Sequence, residues 1–281
     1  MTKKTSSVQP AGPGAQSHIR IERRRRRHMA TLAAAFSLFA LYLAWHASHT
    51  TNVRHEDESP ISSAFAQDAG GNGAQNSAGS ATPDLVKRGE YLARAGDCVA
   101  CHTADKSRPF AGGLPIATPF GTFYTPNITP DPDTGIGSWT DADFLKAMHE
   151  GIGKGGERLY PTFPYAEYTK VTDSDILAIR AYLNTLAPVH YTPPANDVKF
   201  PFNQRWLMVF WNMLNFTEGR FVPDPKESPE WNRGAYLVEG LAHCEECHTP
   251  RNFTQGLKTS ERFPGATQSG WHALNITPHK T

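Results

Sequence analysis

The sequence is short of cysteine, of long apolar runs and of recognisable hydrolytic motifs. Four cysteines in 281 residues are too few for a disulfide-dense scaffold. Gly and Pro together make 45 residues, which is typical of a loop-rich chain rather than of a wholly disordered one. The sequence contains no Ser-His-Asp set, no paired-carboxylate site and no phosphate loop ending in GK[ST]. It therefore offers no hydrolytic or phosphate-transferring site.

Charge is distributed unevenly along the chain. Residues 1–28 hold 8 of the 28 basic residues and one acid, Glu22, which leaves 20 basic and 26 acidic residues for the rest. An acidic body behind a basic head argues against nucleic-acid binding. The 17 mostly apolar residues 29–45 follow the run Arg23–Arg27 and are at the short edge of a membrane span. This order predicts a single-pass anchor with the body on the periplasmic side, and a cleaved signal peptide is the alternative.

All four cysteines lie in two copies of one motif, Cys98–His102 (CVACH) and Cys244–His248 (CEECH). C-x-x-C-H is the attachment signature of c-type haem. Each thiol adds to one vinyl group of the porphyrin, and the histidine that follows binds the iron. We therefore predict two covalently bound haem c groups. The attachment residues are Cys98, Cys101, Cys244 and Cys247, and the proximal iron ligands are His102 and His248.

Three other uses of these cysteines compete with haem attachment. A redox-active dithiol would not require a histidine after both pairs. A single zinc ion would need pairs closer in sequence than the 146 residues that separate these two. Two structural disulfides are possible in an exported protein. Because both copies end in histidine and no cysteine is left over, the pattern favours haem.

The motifs lie within a longer internal repeat. Residues 88–104 (RGEYLARAGDCVACHTA) align with residues 233–250 (RGAYLVEGLAHCEECHTP) if the second copy has one extra residue before its first cysteine. The repeat predicts two copies of one domain type. Further matches follow downstream: FAGG at 110–113 with FPGA at 263–266, and NITP at 127–130 with NITP at 275–278.

Three amphipathic segments predict the helices of the first copy. Residues 84–96 form the first, in which Gly89 is expected to allow another helix to approach closely. Capping patterns begin the second helix at Thr140 and the third at Thr172. A helix, C-x-x-C-H, a loop rich in Pro and Gly and two more helices describe a class I cytochrome c domain. The second helix is expected to end at Gly151 and the third just before Pro188.

The second copy opens near Glu230 and reaches the last residue, Thr281, soon after its NITP segment. We therefore expect a mainly α protein: tandem class I cytochrome c domains, the second incomplete, behind an N-terminal membrane helix. The incomplete copy predicts a truncated chain or a partner that completes the domain. The expected division is a basic head 1–28, an anchor 29–45, a flexible linker 46–83, domain one 84–190, a connector with an apolar helix 191–229 and a partial domain two 230–281.

From about Asp84 onward the sequence resembles the cytochrome c subunit of membrane-bound dehydrogenases of the bacterial periplasm, of the alcohol, gluconate and sorbitol type. The resemblance rests on the two haem motifs with their RGxYL leaders, FGT with YTPNITP at 120–130, LYP with FPY at 159–165, PFN at 201–203 and CHTPRN at 247–252. It implies electron transfer from a PQQ- or flavin-bearing catalytic subunit toward ubiquinone. Family members usually carry three haem domains, whereas this chain has one full domain and part of a second.

Distal iron ligands are harder to find, since the chain has only five methionines. A c-type iron bound by His usually takes Met on its other face. Many relatives have Met in the LYPxMPY motif, where this chain has Phe163. Met148 is the candidate distal ligand of the first haem, although a Met at helical spacing beside Phe144 also suits a core position. The second haem has no local Met; we expect core positions for Met208 and Met213 and surface positions for His272 and His279.

These observations predict an inner-membrane electron carrier with its haem domains in the periplasm, which is not an enzyme by itself and binds no nucleic acid. Its expected partners are a dehydrogenase catalytic subunit, a quinone or other respiratory acceptor, and the membrane. The alternatives are a dihaem peroxidase with an open second iron, which the missing distal Met supports, and a truncated product without function. The apolar stretch 205–216 is too short to span a bilayer and predicts either a buried helix between domains or a docking face.

Overall fold

A computed structural model of the chain describes residues 82–268 and 270–278. The predicted basic head 1–28, the anchor 29–45 and nearly all of the linker 46–83 lie outside the described residues. Within the described ranges, no helix combines the length and the apolar character needed to cross a bilayer.

The first helix of the described chain packs closely against a helix that lies much later in the sequence. Helix α1 (Pro83–Ala95) has Pro at its start and Thr82 as N-cap, whose side chain accepts a hydrogen bond from the Leu85 amide. It crosses helix α5 (Asp173–Leu183) at Gly89, where an added Cβ would lie 1.8 Å from the Ala178 carbonyl oxygen. The predicted role of Gly89 in helix packing is therefore confirmed.

Helix α3 (Asp141–Glu150) begins and ends as the sequence predicts. Thr140 and Asp143 form a reciprocal capping box, and Gly151 closes the helix in the left-handed conformation. Short helices α2 (Cys98–Cys101) and α4 (Tyr165–Tyr168) lie before and after it in the chain. Helices α1, α3 and α5 enclose an apolar core whose fully or nearly fully buried members include Leu92, Phe144, Met148, Val171, Ile176, Ile179 and Leu183.

Strands are short and antiparallel. Strand β1 (Pro115–Thr118) pairs with β2 (Gly121–Tyr124), which also pairs with β3 (Asp197–Val198). Strand β4 (Ala266–Gln268) pairs with β5 (Trp271–Ala273). The hairpin β1–β2 follows the first haem motif and the hairpin β4–β5 follows the second, so both copies place the same element at the same point.

The connector and the second copy add further helices. A 3-10 turn (Arg205–Leu207) leads into α6 (Met208–Asn215), and α7 (Pro229–Tyr236) continues into a π-helix (Leu237–Leu241) before α8 (Glu245–His248). The single extra residue that the sequence alignment places before Cys244 coincides with this π-helix. A π-turn takes up one more residue than an α-turn, so the insertion is accommodated inside the helix. Tyr236 and Leu241 belong to the same apolar core as α1 and α5.

Two expectations about helices were wrong in part. Helix α5 ends at Leu183 rather than just before Pro188, because the next amides bond three residues back, Thr185 to Tyr182 and Leu186 to Leu183. Leu186 lies beyond the end and still packs against the core. The stretch 205–216 is not a buried helix, since none of the residues of its 3-10 turn or of α6 is fully buried. One side of this stretch is hydrogen-bonded to the rest of the protein, and the other side is exposed to solvent.

Candidate haem sites

The first motif presents two thiols and an oriented imidazole. Cys98 packs partly against the core, Cys101 is exposed, and neither forms a disulfide. The Nδ1 atom of His102 lies 2.8 Å from the Pro126 carbonyl oxygen. A carbonyl can only accept, so Nδ1 carries the proton and donates, which leaves Nε2 free to bind iron. Burial lowers the pKa of His102, and a neutral imidazole is the form that binds a metal.

The second motif repeats this arrangement. Cys244 and Cys247 are free thiols, the first half-buried and the second exposed. His248 donates from Nδ1 to the Leu274 carbonyl oxygen at 2.7 Å, again leaving Nε2 free. Both predicted proximal histidines are therefore held in the tautomer that an iron ligand requires.

A set of backbone hydrogen bonds also recurs around the two histidines. The Gly112 amide donates to the His102 carbonyl oxygen at 2.7 Å, and the Gly265 amide donates to that of His248 at 2.9 Å. Residues with positive φ stand at matching positions in both copies: Asp97 and His243 directly before the first cysteine, Phe110 and Phe263 after the motif, and Gly112 and Gly265 two residues further on. The sequence repeat is therefore also a repeat of local backbone geometry.

The thiols do not suit the other uses that the sequence leaves open. Burial raises the pKa of Cys98 to about 12 and also raises those of Cys101 and Cys244. A redox-active dithiol relies on a lowered thiol pKa. Zinc is also disfavoured: across residues 82–268 and 270–278, the only group of three or more His, Cys, Asp or Glu ligand atoms lying within 4.8 Å of one another is Asp131, Asp133 and His190. Free thiols beside a histidine with a free Nε2 fit a covalently attached haem.

The two motifs meet at their N-terminal ends. His243, directly before Cys244, has its Nε2 atom 3.3 Å from the carbonyl oxygen of Gly96, two residues before Cys98. The ring of Tyr168 stands edge-on to His243 with centroids 5.8 Å apart. The thiols of Cys101 and Cys247 are close enough that the second helps to raise the pKa of the first. The two attachment segments thus form one continuous region, which the sequence did not predict.

Ion pairs hold the two residues between the cysteines of the second motif. The carboxylate of Glu245 is buried and pairs with Arg262, and Glu246 pairs with Arg251. Glu167 of helix α4 is also buried next to them, and its Oε2 atom has no hydrogen-bond partner in the part of the chain that the structure describes. Burial raises the pKa of Glu167 well above its usual value, and the nearby Glu246 carboxylate raises it further. Glu167 therefore keeps its proton at neutral pH.

Candidate distal ligands have different environments. Met148 is buried in the core, and its assignment as distal ligand of the first haem stays a prediction. Phe163, at the position where many relatives have Met, is half-buried and packs its ring against Tyr168 with centroids 5.3 Å apart. Met213 is exposed, so the expectation of a core position for it was wrong. His272 pairs with Thr267 at the surface, and His279 lies outside the described residues.

Comparisons with known proteins agree with this chemistry. The family model for cytochrome c matches residues 86–187. The chain is 48% identical over 196 residues to a nicotinate dehydrogenase subunit of Pseudomonas putida and 50% identical over 202 residues to the gluconate 2-dehydrogenase cytochrome c subunit of Pantoea cypripedii. These matches cover 69% and 68% of this chain but 16% and 46% of the relatives, so the chain spans less than half the length of either.

A third relative is matched over most of its length. It is the diheme cytochrome c-type protein of Cereibacter sphaeroides, which is 42% identical over 203 residues, covering 69% of this chain and 68% of the relative. The resemblance to cytochrome c subunits of dehydrogenases is thus shown by relatives that carry that name and by the geometry of both motifs. The chain belongs to the cytochrome c family.

Proposed function

We propose that the chain is a dihaem electron-transfer subunit, with one class I cytochrome c domain followed by part of a second. It takes electrons from the catalytic subunit of a membrane-bound dehydrogenase and passes them to a respiratory acceptor. The observation that carries the proposal is the matched pair of histidines, His102 and His248, each donating from Nδ1 to a backbone carbonyl beside two free thiols.

The residues of each motif have separate tasks. The two cysteines attach the porphyrin, and the histidine binds its iron through Nε2. The Nδ1 hydrogen bond fixes the ring plane and makes Nε2 a stronger donor to the metal. When bound, haem c supplies a one-electron couple between ferric and ferrous iron.

The contact between the motifs gives electrons a short path within the chain. Gly96 and His243 touch, and Tyr168 packs against His243 in the same region. Because Tyr168 belongs to the buried core and His243 is held between it and the Gly96 carbonyl oxygen, the structure holds the two attachment segments side by side. We infer direct electron exchange between the two sites, without a diffusing mediator.

The partners belong to the same proposal. Relatives are named as subunits of nicotinate dehydrogenase and of gluconate 2-dehydrogenase, which supports a dehydrogenase catalytic subunit as electron donor. We propose a PQQ- or flavin-bearing donor and ubiquinone or a downstream carrier as acceptor. The apolar run 29–45 behind Arg23–Arg27 supports an inner-membrane anchor with the haem sites in the periplasm.

The test is reduction of the full chain, matured with haem, by a purified gluconate dehydrogenase catalytic subunit and gluconate, followed by visible absorption. We expect both haems to be reduced and then reoxidised by added ubiquinone. The matched variants are Cys98→Ala/Cys101→Ala and Cys244→Ala/Cys247→Ala, each of which removes one haem and leaves the other motif intact. Loss of electron flow in only one variant would identify the haem that accepts electrons from the donor.

The same preparation tests the peroxidase alternative. Hydrogen peroxide and a reduced artificial donor are added to the fully reduced chain. An electron carrier is expected to show no catalytic peroxide consumption. Turnover that disappears in Cys244→Ala/Cys247→Ala would contradict our proposal and assign the second site to peroxide reduction.

A further inference from the structure

The segment made of the 3-10 turn and α6 presents an exposed apolar face. Trp206, Phe210, Met213 and Leu214 are between 46% and 70% exposed. Their spacing of four, seven and eight residues from Trp206 places them on one side of a helix. We call these four residues the 206–214 face. Trp206 and Phe210 stack edge-on with centroids 6.0 Å apart, so the face is an ordered surface.

The opposite side of this helix is fixed to the rest of the protein. The indole nitrogen of Trp211 donates to the Thr254 carbonyl oxygen at 3.0 Å, and the Tyr165 hydroxyl donates to Asn212 Oδ1 at 2.6 Å. The Asn215 side-chain oxygen accepts hydrogen bonds from Asn252 and Thr254. These bonds hold the helix in one rotation, so the 206–214 face cannot turn inward without breaking them.

The charge pattern around the face suits a lipid surface. Residues 206–217 include no charged residue; exposed Lys199 precedes the segment and Glu218 follows it. Arg205 is turned onto the protein, where it donates to the Arg158 carbonyl oxygen and lies over the Tyr160 ring. Exposed Phe200 and Phe202 lie between Lys199 and Arg205 in sequence and extend the aromatic character. Aromatic and aliphatic side chains beside Lys and Arg are typical of helices that lie in the interface of an anionic bilayer.

A bilayer explains the face better than a protein partner does. Asn212 and Asn215 use side-chain groups on the inner side, and the four residues of the face offer no charge that would orient a soluble partner. The chain itself also carries the apolar run 29–45, which we have proposed as its anchor. An anchor in the same chain keeps the bilayer at high effective concentration, so a weak second contact is enough.

We propose that the 206–214 face lies in the interfacial region of the membrane and fixes the orientation of the haem sites above it. The inference rests on the membrane anchoring in the proposed function. It assigns the contact to an anionic phospholipid surface, in which the aromatic residues enter at the level of the headgroups and Lys199 meets the phosphates.

The test uses the full haem-loaded chain in vesicles of phosphatidylethanolamine and phosphatidylglycerol with a small fraction of photoactivatable phosphatidylcholine. After illumination, lipid adducts are mapped on peptides. We expect adducts on the peptide that contains 206–214 as well as on 29–45. The variant Phe210→Ser/Leu214→Ser should lower adducts at 206–214 at least about fivefold and leave those at 29–45 unchanged.

A matched control uses Trp231, which is exposed on another helix, α7. Trp231→Ser should change neither set of adducts, and haem content checks that each variant is folded. Adducts on 29–45 alone would overturn the proposed face and leave the anchor standing, whereas adducts on neither would also contradict the anchoring. Loss of self-association in detergent on Phe210→Ser/Leu214→Ser would assign the face to a second copy and overturn the lipid proposal.

Discussion

The two haem motifs share a local backbone and differ in what surrounds it. Both place a histidine against a carbonyl oxygen, and both are followed by a two-stranded hairpin. In the first copy Phe123, four residues before Asn127, is 6% exposed, while Trp271, four residues before Asn275 in the second copy, is 83% exposed. The comparison teaches that the C-x-x-C-H motif sets its own local backbone conformation. How far its hairpin is buried depends on residues elsewhere in the chain.

The residues between the paired cysteines differ in the same way. Val99 and Ala100 are exposed in the first motif, while Glu245 and Glu246 of the second are held by Arg262 and Arg251. The first motif is held through Cys98, which packs against the apolar core. The second motif is held by ion pairs and by its contact with the first copy.

The largest expected difference in stability is between substitutions of Gly89 and Gly234, the glycines of the RGxYL segment before each haem motif. Gly89→Ala places a methyl group against the Ala178 carbonyl oxygen, whereas the space around Gly234 is open. We expect Gly89→Ala to lower the free energy of unfolding by about 3–5 kcal/mol, and Gly234→Ala to raise it by up to about 1 kcal/mol. Denaturant unfolding of the haem-loaded chain measures both. Equal effects would mean that the two leaders are packed alike.

The next difference lies between the cysteines. Glu245→Val removes a buried carboxylate and leaves part of the Arg262 charge unpaired, which is expected to lower the free energy of unfolding by about 2–4 kcal/mol. Val99→Glu adds a charge at an exposed position and is expected to change it by about 0.5 kcal/mol or less. Thermal unfolding of the two variants measures both changes in stability. A neutral Glu245→Val would contradict the role of ion pairs at the second motif.

A pH dependence should follow from the buried carboxyl group of Glu167. Its pKa is raised in the fold, so above the pKa of the unfolded chain the folded state holds one more proton than the unfolded state. The contribution of Glu167 to stability is therefore complete at low pH and is lost as pH rises from about 5 toward 9. Glu167→Gln stays neutral and should remove up to about 1.4 kcal/mol of this loss for each pH unit. Exposed Glu218→Gln is the control, and identical slopes in all three proteins would contradict the buried-acid interpretation.

The smallest structural change tests the distal ligand. Met148→Leu keeps the volume of the core, so stability should change by less than about 1.5 kcal/mol. If Met148 binds the first iron, the midpoint potential of that haem should drop by on the order of 100 mV. The measurement uses the variant background Cys244→Ala/Cys247→Ala, with Met208→Leu as control. An unchanged potential would restrict Met148 to the core and sharpen the contrast with a second haem that has no local Met.

The sequence predicted the parts of the structure that depend on neighbouring residues. Thr140 and Thr172 cap helices because their side chains bond to amides three residues ahead, and the paired C-x-x-C-H motifs are contiguous. The end of α5 was misplaced because the backbone hydrogen bonds change to three-residue spacing after Asn184, before the apolar stripe ends. Apolar composition alone could not tell which side of 205–216 is covered, since that depends on Trp211 and Asn212 meeting distant partners.

The contact between the two motifs was beyond sequence reasoning for the same reason. His243 and Gly96 are 147 residues apart, and nothing in either local pattern indicates that they touch. The extra residue before Cys244, which the π-helix accommodates, shows where the second copy differs from the first and does not indicate this contact. The charged pairs around Glu245 likewise join positions that only folding brings together.

The most direct test of two haem sites in one folded unit is the number of haems per polypeptide. The full chain is expressed in a host with c-type haem maturation, and intact mass is measured beside a pyridine haemochrome spectrum. We predict two covalent haems in the unaltered chain and one in Cys98→Ala/Cys101→Ala and in Cys244→Ala/Cys247→Ala. One haem in the unaltered chain, retained in Cys244→Ala/Cys247→Ala, would contradict the account and reduce the second motif to a structural remnant.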